Sequence, residues 1–152
     1  MRMMMKTTKT KKKATNQKSQ PKNLTLLNER VDGKKTLSEA KLERFKNRTT
    51  VRRYHIEFSC PEFTCVCPMS GFPDFATIYI DYVPREWCVE LKSLKLYFNN
   101  YRNKGIFHED VVNVILDDLV KLLDPWEITV VGDFNVRGNI KTVVTADHFR
   151  EE

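Results

Sequence analysis

The segment F-T-C-V-C-P-M-S-G-F-P-D-F-A, residues 63–76, lies between two stretches in which apolar and polar residues alternate. Pro68, Ser70, Gly71 and Pro73 interrupt it, and residues of these types favour turns over the interior of a helix or strand. We therefore predict that residues 63–76 form a loop, and that this loop joins two antiparallel strands.

The same segment carries the residues with the clearest chemical potential. Cys65 and Cys67 lie in the predicted loop, and Asp74 comes where the next strand begins. A thiol beside a carboxylate can act as a nucleophile with a proton carrier next to it. The spacing alone does not separate the two thiols.

Outside this loop, the spacing of apolar residues indicates the type of each element: every second residue for a strand, every third or fourth for a helix. Along the chain it predicts the order strand, strand, helix, helix, strand, strand. The predicted elements are strands over Val51–Phe58 and Phe75–Val83, helices over Leu91–Arg102 (with Gly105 as its C′ residue) and His108–Leu123, and a hairpin of Trp126–Val136 and Ile140–Thr145 that turns at Arg137-Gly138-Asn139. This order predicts an α+β domain, in which two antiparallel helices pack on one face of a four-stranded antiparallel sheet.

Such a sheet has two open edges and one uncovered face. Open edges and apolar faces tend to be covered, and a small domain has little material of its own to cover them. We therefore expect neighbouring subunits to do so, and a barrel closed between subunits is one economical arrangement.

The positive charge of the chain is concentrated at its start. The chain has 152 residues and a net charge of +6, and residues 1–22 carry eight of the basic residues and no acidic ones. The remaining residues therefore carry a net charge of −2, which argues against a folded surface that binds the phosphate backbone of a nucleic acid. We predict a disordered basic tail over 1–22, a docking segment over 23–48 with a short helix at Ser38–Phe45, and a catalytic domain over 49–152.

The N-terminus lacks the apolar core of a signal peptide, and no apolar run approaches the length of a membrane span. Four cysteines without a C-x2-C pair suit a reducing cytoplasm better than a structural zinc site. We expect a cytoplasmic protein without a resident metal.

Three separated motifs now come together: C-P-M-S-G-F-P-D at residues 67–74, E-L-K-S-L-K-L-Y at 90–97 and N-K-G-I-F-H-E-D at 103–110. In this order they resemble the NADPH-dependent nitrile reductases of queuosine biosynthesis, the 7-cyano-7-deazaguanine reductases, and in particular the single-domain subfamily. The resemblance covers roughly residues 45–149. It implies the tunnelling fold, whose β-β-α-α-β-β order matches the order read from periodicity, and ring-like homo-oligomers with active sites between subunits.

The resemblance also implies roles for individual residues. Cys67 matches the nucleophile that forms a covalent thioimide with the nitrile, Asp74 matches the proton donor to its nitrogen, and His108 is a second proton source. The positions that hold the deazaguanine base are Val89, Glu90, Leu91, His108 and Glu109, and the candidates for the NADPH phosphates are Lys92, Ser93 and Lys95. Reduction of a nitrile to an amine takes four electrons, hence two NADPH per turnover.

Chemistry adds one hypothesis, and the sequence leaves two alternatives. A carboxylate beside a thiol disfavours the thiolate, so we expect Cys67 and Asp74 to share one mobile proton at rest.

A zinc-dependent hydrolase of the same fold, similar to GTP cyclohydrolase, would need Cys and His ligands, and histidines are scarce near the loop. An RNA-binding module using the basic tail is the non-enzymatic alternative, although we expect no direct nucleic-acid partner.

Overall fold

The computed structural model describes residues 41–151. The chain runs through β1 (Arg44–Lys46), β2 (Ile56–Val66), β3 (Pro73–Val83), β4 (Trp87–Val89), α1 (Leu91–Asn99), a 3-10 turn (Asn100–Asn103), α2 (His108–Leu123), β5 (Glu127–Arg137) and β6 (Ile140–Phe149). The predictions for the N-terminal tail and for most of the docking segment lie outside the described residues.

Strands β2, β3, β5 and β6 form one antiparallel sheet in the order β2-β3-β5-β6. Both helices pack on one face of it, where the core collects inward-facing residues of the strands and the apolar stripe of α2: Ala76, Ile78, Ile80, Val112, Ile115, Leu119, Val130 and Phe134. This is the predicted four-stranded sheet with two helices on one face. The prediction of fold class is confirmed.

The helix α2 begins and ends where the sequence indicates. Glu109 and Asp110 lie in its first turn, where acidic side chains interact favourably with the helix dipole. Asp124 follows its last residue in a left-handed conformation, with φ 45°, and the residue before a proline is disfavoured in a helix. Its carboxylate pairs with Arg85 and Arg150, so the end of α2 is tied both to the β3–β4 connection and to the end of the chain.

The hairpin between β5 and β6 turns on two residues. Gly138 has φ 54° and Asn139 has φ 69°, and the strands resume with Arg137 opposite Ile140. Positive φ at both central residues is the geometry that matches the twist of the flanking strands. The predicted turn is therefore present, and it fixes where Arg137 lies.

Several predicted boundaries were wrong. Strand β2 begins at Ile56 rather than Val51 and continues to Val66, so the loop is shortened to residues 67–72. The reason is an irregularity in the β2–β3 register between Cys60 and Phe63, after which inward and outward positions alternate again. The alternation therefore persists where prolines and small residues suggested a loop.

The first helix is also shorter than predicted, because α1 ends at Asn99 and the 3-10 turn continues to Asn103. Gly105 is not the left-handed C′ residue of this helix; the chain there is held by a parallel bridge to Val66. The helix predicted at Ser38–Phe45 is wrong in its described part, since Arg44–Lys46 is β1, which pairs with β4.

The face of the sheet opposite the helices leaves large apolar side chains exposed, namely Phe75, Tyr79, Val143 and Phe149. Strands β2 and β6 are its edges. Within residues 41–151, no helix combines the length and the apolar character needed to cross a lipid bilayer.

Candidate active site

Four elements bring polar side chains to one end of the sheet. Cys67 follows the last residue of β2, Asp74 is the second residue of β3, His108 is the first residue of α2, and Arg137 is the last residue of β5. The antiparallel order of the sheet places the end of β2, the start of β3 and the end of β5 side by side.

Asp74 is the centre of this group. Its side chain is only 6% exposed, and it faces the helices between β2 and α2. Arg137 Nη1 lies 3.0 Å from Oδ1, and His108 Nε2 lies 3.3 Å from Oδ2. A buried carboxylate is costly unless it is paired and hydrogen-bonded, and here each oxygen has its own nitrogen partner.

The ring of His108 is held by stacking. It lies flat on the ring of Phe134, with 3.8 Å between the ring centroids and an angle of 9° between the planes. Phe134 is fully buried on the helix-facing side of β5. The stacking restrains the imidazole plane, and in this orientation Nε2 faces Asp74 Oδ2.

Burial distinguishes the thiol of Cys65 from that of Cys67, which their spacing in the sequence could not do. Cys65 is fully buried on the inner face of β2, where desolvation by burial raises its pKa to about 11. Cys67 lies partly exposed at the mouth of the loop. A hydrogen bond from the Ser70 hydroxyl, joined by bonds from the backbone N–H groups of Ser70 and Met69, lowers the pKa of the Cys67 thiol.

The loop that provides these donors is closed by its own backbone. Cys67 N–H donates to the carbonyl of Phe72 at 2.8 Å, and Gly71 N–H donates to the carbonyl of Cys67 at 2.9 Å. Gly71 adopts φ 72°, which glycine reaches at little cost. The tight turn therefore folds its N–H groups back towards the sulfur, and such groups stabilise an anion.

A second group of predicted residues surrounds the start of α1. Glu90 caps this helix: Oε1 accepts from Lys92 N–H at 2.8 Å and Oε2 from Ser93 N–H at 2.7 Å. These two backbone bonds lower the pKa of the Glu90 carboxyl. Val89 is buried in the core, whereas Leu91 is exposed.

The candidates for the cofactor phosphates differ in access. Ser93 is buried, and its hydroxyl donates to the Glu90 carbonyl at 2.8 Å and accepts from Glu43 N–H at 2.9 Å. Lys92 and Lys95 are exposed. Lys95 borders a groove of about 260 Å³ between α1 and β2, with Arg102 along the same groove. Lys92 and Lys95 are therefore accessible to an anionic ligand, whereas the Ser93 hydroxyl is buried and already bonded.

Metal ligands are not grouped in the described part of the chain. Between residues 41 and 151, no three His, Cys, Asp or Glu side chains are arranged to hold a metal ion. The zinc hydrolase alternative has no set of ligands there.

The chain is similar to known proteins of one family. Residues 73–152 match the QueF-like protein family. The NADPH-dependent 7-cyano-7-deazaguanine reductase of Thermomicrobium roseum is 57% identical over 115 residues, which cover 76% of this chain and 90% of the relative. The enzyme of the same name from Anaeromyxobacter sp. strain K is 63% identical over 107 residues, 70% of this chain and 88% of the relative.

This chain belongs to the 7-cyano-7-deazaguanine reductase family. Among solved structures, the apo form of the archaeosine synthase QueF-Like superposes with a TM-score of 0.55 at 19% identity, over 70% of this chain and all of that one. That likeness supports the tunnelling fold. The sequence motifs had indicated the same family.

The structure brings only part of the reductase motifs together in one chain. From Asp74 to Tyr82, strand β3 rises roughly 26 Å at about 3.3 Å per residue. Val89 lies beside the far end of β3, since its N–H bonds the Tyr82 hydroxyl at 3.2 Å. Cys67, Asp74 and His108 therefore lie at one end of the sheet, and Glu90 lies towards the other.

Sequence reasoning missed Arg137, which it placed only in the hairpin turn. The β3–β5 pairing ends with Ala76 opposite Phe134, and Arg137, three residues further along β5, reaches the carbonyl of Pro73, next to Asp74. No local sequence pattern indicates this contact. Ser70 was likewise treated only as a turn residue, although a hydroxyl three residues after a cysteine can reach back to the sulfur.

Proposed function

We propose that this protein reduces the nitrile of 7-cyano-7-deazaguanine to the primary amine of 7-aminomethyl-7-deazaguanine, consuming two NADPH, in the pathway to queuosine. The observation that carries the proposal is Cys67: a partly exposed thiol in a turn that stabilises its anion, beside a buried Asp74. Membership of the reductase family supports the substrate and the cofactor.

The reaction begins at Cys67. Its sulfur attacks the nitrile carbon, a C–S bond forms, one C–N π bond breaks, and the nitrogen takes a proton from Asp74. The product is a thioimide, which accepts hydride more readily than the nitrile does. A thiol with a lowered pKa is ionised in a larger fraction at neutral pH, which favours this first step.

Two reductions then follow. Bound NADPH supplies a hydride for each. The first hydride adds to the thioimide carbon, and the nitrogen takes a proton. The C–S bond then breaks, so that Cys67 leaves as a thiolate and an iminium ion remains. The second hydride converts this ion to the amine. Asp74 and His108 face each other at 3.3 Å, close enough to pass the protons that the nitrogen requires. The iminium must stay enclosed, because water would hydrolyse it.

The shared-proton hypothesis for Cys67 and Asp74 needs a third participant. Asp74 has its own partners in Arg137 and His108, and the thiolate has its own donors in the turn. We propose that the proton leaving Cys67 passes to the Asp74–His108 pair and not to Asp74 alone.

Substrate recognition requires both ends of the sheet. A guanine-like edge presents N–H donors, which carboxylates accept well. Glu109, beside His108, is exposed at the Cys67 end, whereas Glu90 lies towards the other end. One base cannot bridge a separation of this size, so we propose that Val89, Glu90 and Leu91 act on the active site of a neighbouring copy. The open sheet edges and the exposed apolar face are consistent with a homo-oligomer.

The same neighbouring copy would bring Lys92 and Lys95 to the cofactor phosphates. Both lysines are exposed on the first turns of α1 and can serve as point charges for phosphate. Ser93 is left out of this role because its hydroxyl is already bonded on both sides.

Two experiments test this function. Purified protein with 7-cyano-7-deazaguanine should oxidise two NADPH per amine formed, measured by absorbance and by mass spectrometry of the product; a folded oligomer that oxidises none contradicts the proposal. Mixing subunits tests the shared site: Cys67→Ala and Glu90→Gln homo-oligomers should each be impaired, and dissociated and reassembled mixtures should regain activity. Activity no higher than the sum of the two parents would show that each chain builds its own site.

A further inference from the structure

Arg137 has no place in the reaction described above, yet it is bound to the central carboxylate. We propose that Arg137 is a positioning residue, which holds Asp74 in the orientation needed for proton transfer at Oδ2. This inference rests on the proposed function for its catalytic consequence, but its electrostatic consequence can be measured without substrate.

The contacts of Arg137 restrain both the guanidinium and the carboxylate. Nη1 lies 3.0 Å from Asp74 Oδ1 and donates to the carbonyl of Pro73 at 2.8 Å. The guanidinium is thus hydrogen-bonded to one residue of β3 and ion-paired with the next. Because Oδ1 is engaged in this ion pair, Oδ2 is the oxygen left to exchange protons, and it faces His108.

The position of Arg137 in the chain explains how the contact is held. It is the last residue of β5, directly before the two-residue turn at Gly138-Asn139. Both turn residues have positive φ, so the turn conformation is closely determined and its start cannot slide along β5. The last recorded pair of β3 and β5 is Ala76 with Phe134, and from three residues beyond Phe134 the Arg137 side chain reaches Pro73 and Asp74.

The charge of Arg137 has a consequence for Cys67. The charge of Asp74 raises the pKa of the Cys67 thiol and so opposes the effect of the turn donors. The ionisable groups that interact with the Asp74 carboxylate are Cys65 on β2, Cys67 after β2, His108 on α2 and Arg137 on β5. Arg137 is a permanent cation, so it offsets the Asp74 charge at every pH at which the enzyme works.

The test compares Arg137→Gln and Arg137→Lys with Lys141→Gln. Lys141 lies on the same hairpin and loses the same charge, but it pairs with Asp133 and not with Asp74. The first readout is the rate of Cys67 alkylation by iodoacetamide between pH 5 and pH 10, on the full chain without substrate or cofactor. Arg137→Gln should shift this profile to higher pH, whereas Arg137→Lys and Lys141→Gln should follow wild type.

The second readout is steady-state kinetics with the nitrile. Arg137→Gln should lower kcat by at least about tenfold, in the range expected for a misplaced proton carrier, and leave the KM for NADPH within twofold. An unchanged alkylation profile would overturn the proposal. So would a raised KM for NADPH with kcat unchanged, which would make Arg137 a ligand of the cofactor. If wild type did not turn over the nitrile, the proposed function would fail, and the alkylation profiles would still decide the role of Arg137.

Discussion

Gly132 offers the sharpest test of how the core supports the active site. It lies on the helix-facing side of β5, opposite Ile78, beneath α2. A Cβ atom at this position would come within 2.6 Å of Val112 Cγ2 and 2.8 Å of Phe134 Cε2. Real Cβ atoms essentially never approach other atoms so closely, so Gly132→Ala must displace one neighbour or both.

Neither neighbour has room to move. Val112 and Phe134 are both fully buried, and the Phe134 ring carries the stacked imidazole of His108. Overpacking of this kind costs about 1–3 kcal/mol of folding free energy. Because any shift of the Phe134 ring also moves His108, we expect Gly132→Ala to lower turnover as well as stability.

The assay is urea unfolding at one fixed protomer concentration, with Gly105→Ala as the matched control. Nothing lies within 4 Å of a Cβ at Gly105, and its backbone is not left-handed. Gly132→Ala should lose about 1–3 kcal/mol, and Gly105→Ala should change stability by no more than about 1 kcal/mol. Equal stability of the two variants would refute the packing described around α2.

The other variants separate roles that the sequence alone merges. Ser70→Ala should slow iodoacetamide alkylation of Cys67 at pH 7 and shift the pH profile of alkylation to higher pH, because the Ser70 hydroxyl is the main group that lowers the pKa of this thiol. The control is Ser59→Ala, at an exposed position on β2. If the alkylation profile of Ser70→Ala matched that of Ser59→Ala, Ser70 would have no role in stabilising the thiolate. Ser93→Ala should cost about 0.5–1.5 kcal/mol in urea unfolding, because Glu43 N–H loses its part-buried hydrogen bond to the Ser93 hydroxyl. Unchanged stability would contradict that structural role. Lys92→Ala should instead raise the KM for NADPH with stability kept within about 0.5 kcal/mol, and an unchanged KM would exclude this lysine from the cofactor site.

The fold was predictable because its elements carry strong local signals. The α2 stripe, the alternation of β3 and the Gly138-Asn139 turn each specify their own geometry, and the sheet order follows from their sequence. Boundaries failed where tertiary structure overrides composition. Strand β2 continues to Val66, past Pro61, because an irregularity in its pairing restores the alternation.

The sequence motifs proposed members of the site but carried no information on their geometry. Motifs pointed to Cys67, Asp74 and His108, which the structure gathers at one end of the sheet. The contribution of Arg137 depends on the pairing of distant strands, and the burial of Ser93 depends on its bond to Glu43; neither has a local pattern. Burial distinguishes the thiols, and burial follows from which face of β2 each one occupies.

The proposed reaction requires that the thiol of Cys67, and not that of Cys65, forms a covalent bond with the nitrile. The most direct measurement is intact-protein mass spectrometry after incubation with 7-cyano-7-deazaguanine in the absence of NADPH, for wild type, Cys67→Ala and Cys65→Ala. We expect one substrate adduct per chain in wild type and in Cys65→Ala, and none in Cys67→Ala. An adduct that persists in Cys67→Ala, or that disappears only in Cys65→Ala, would contradict it.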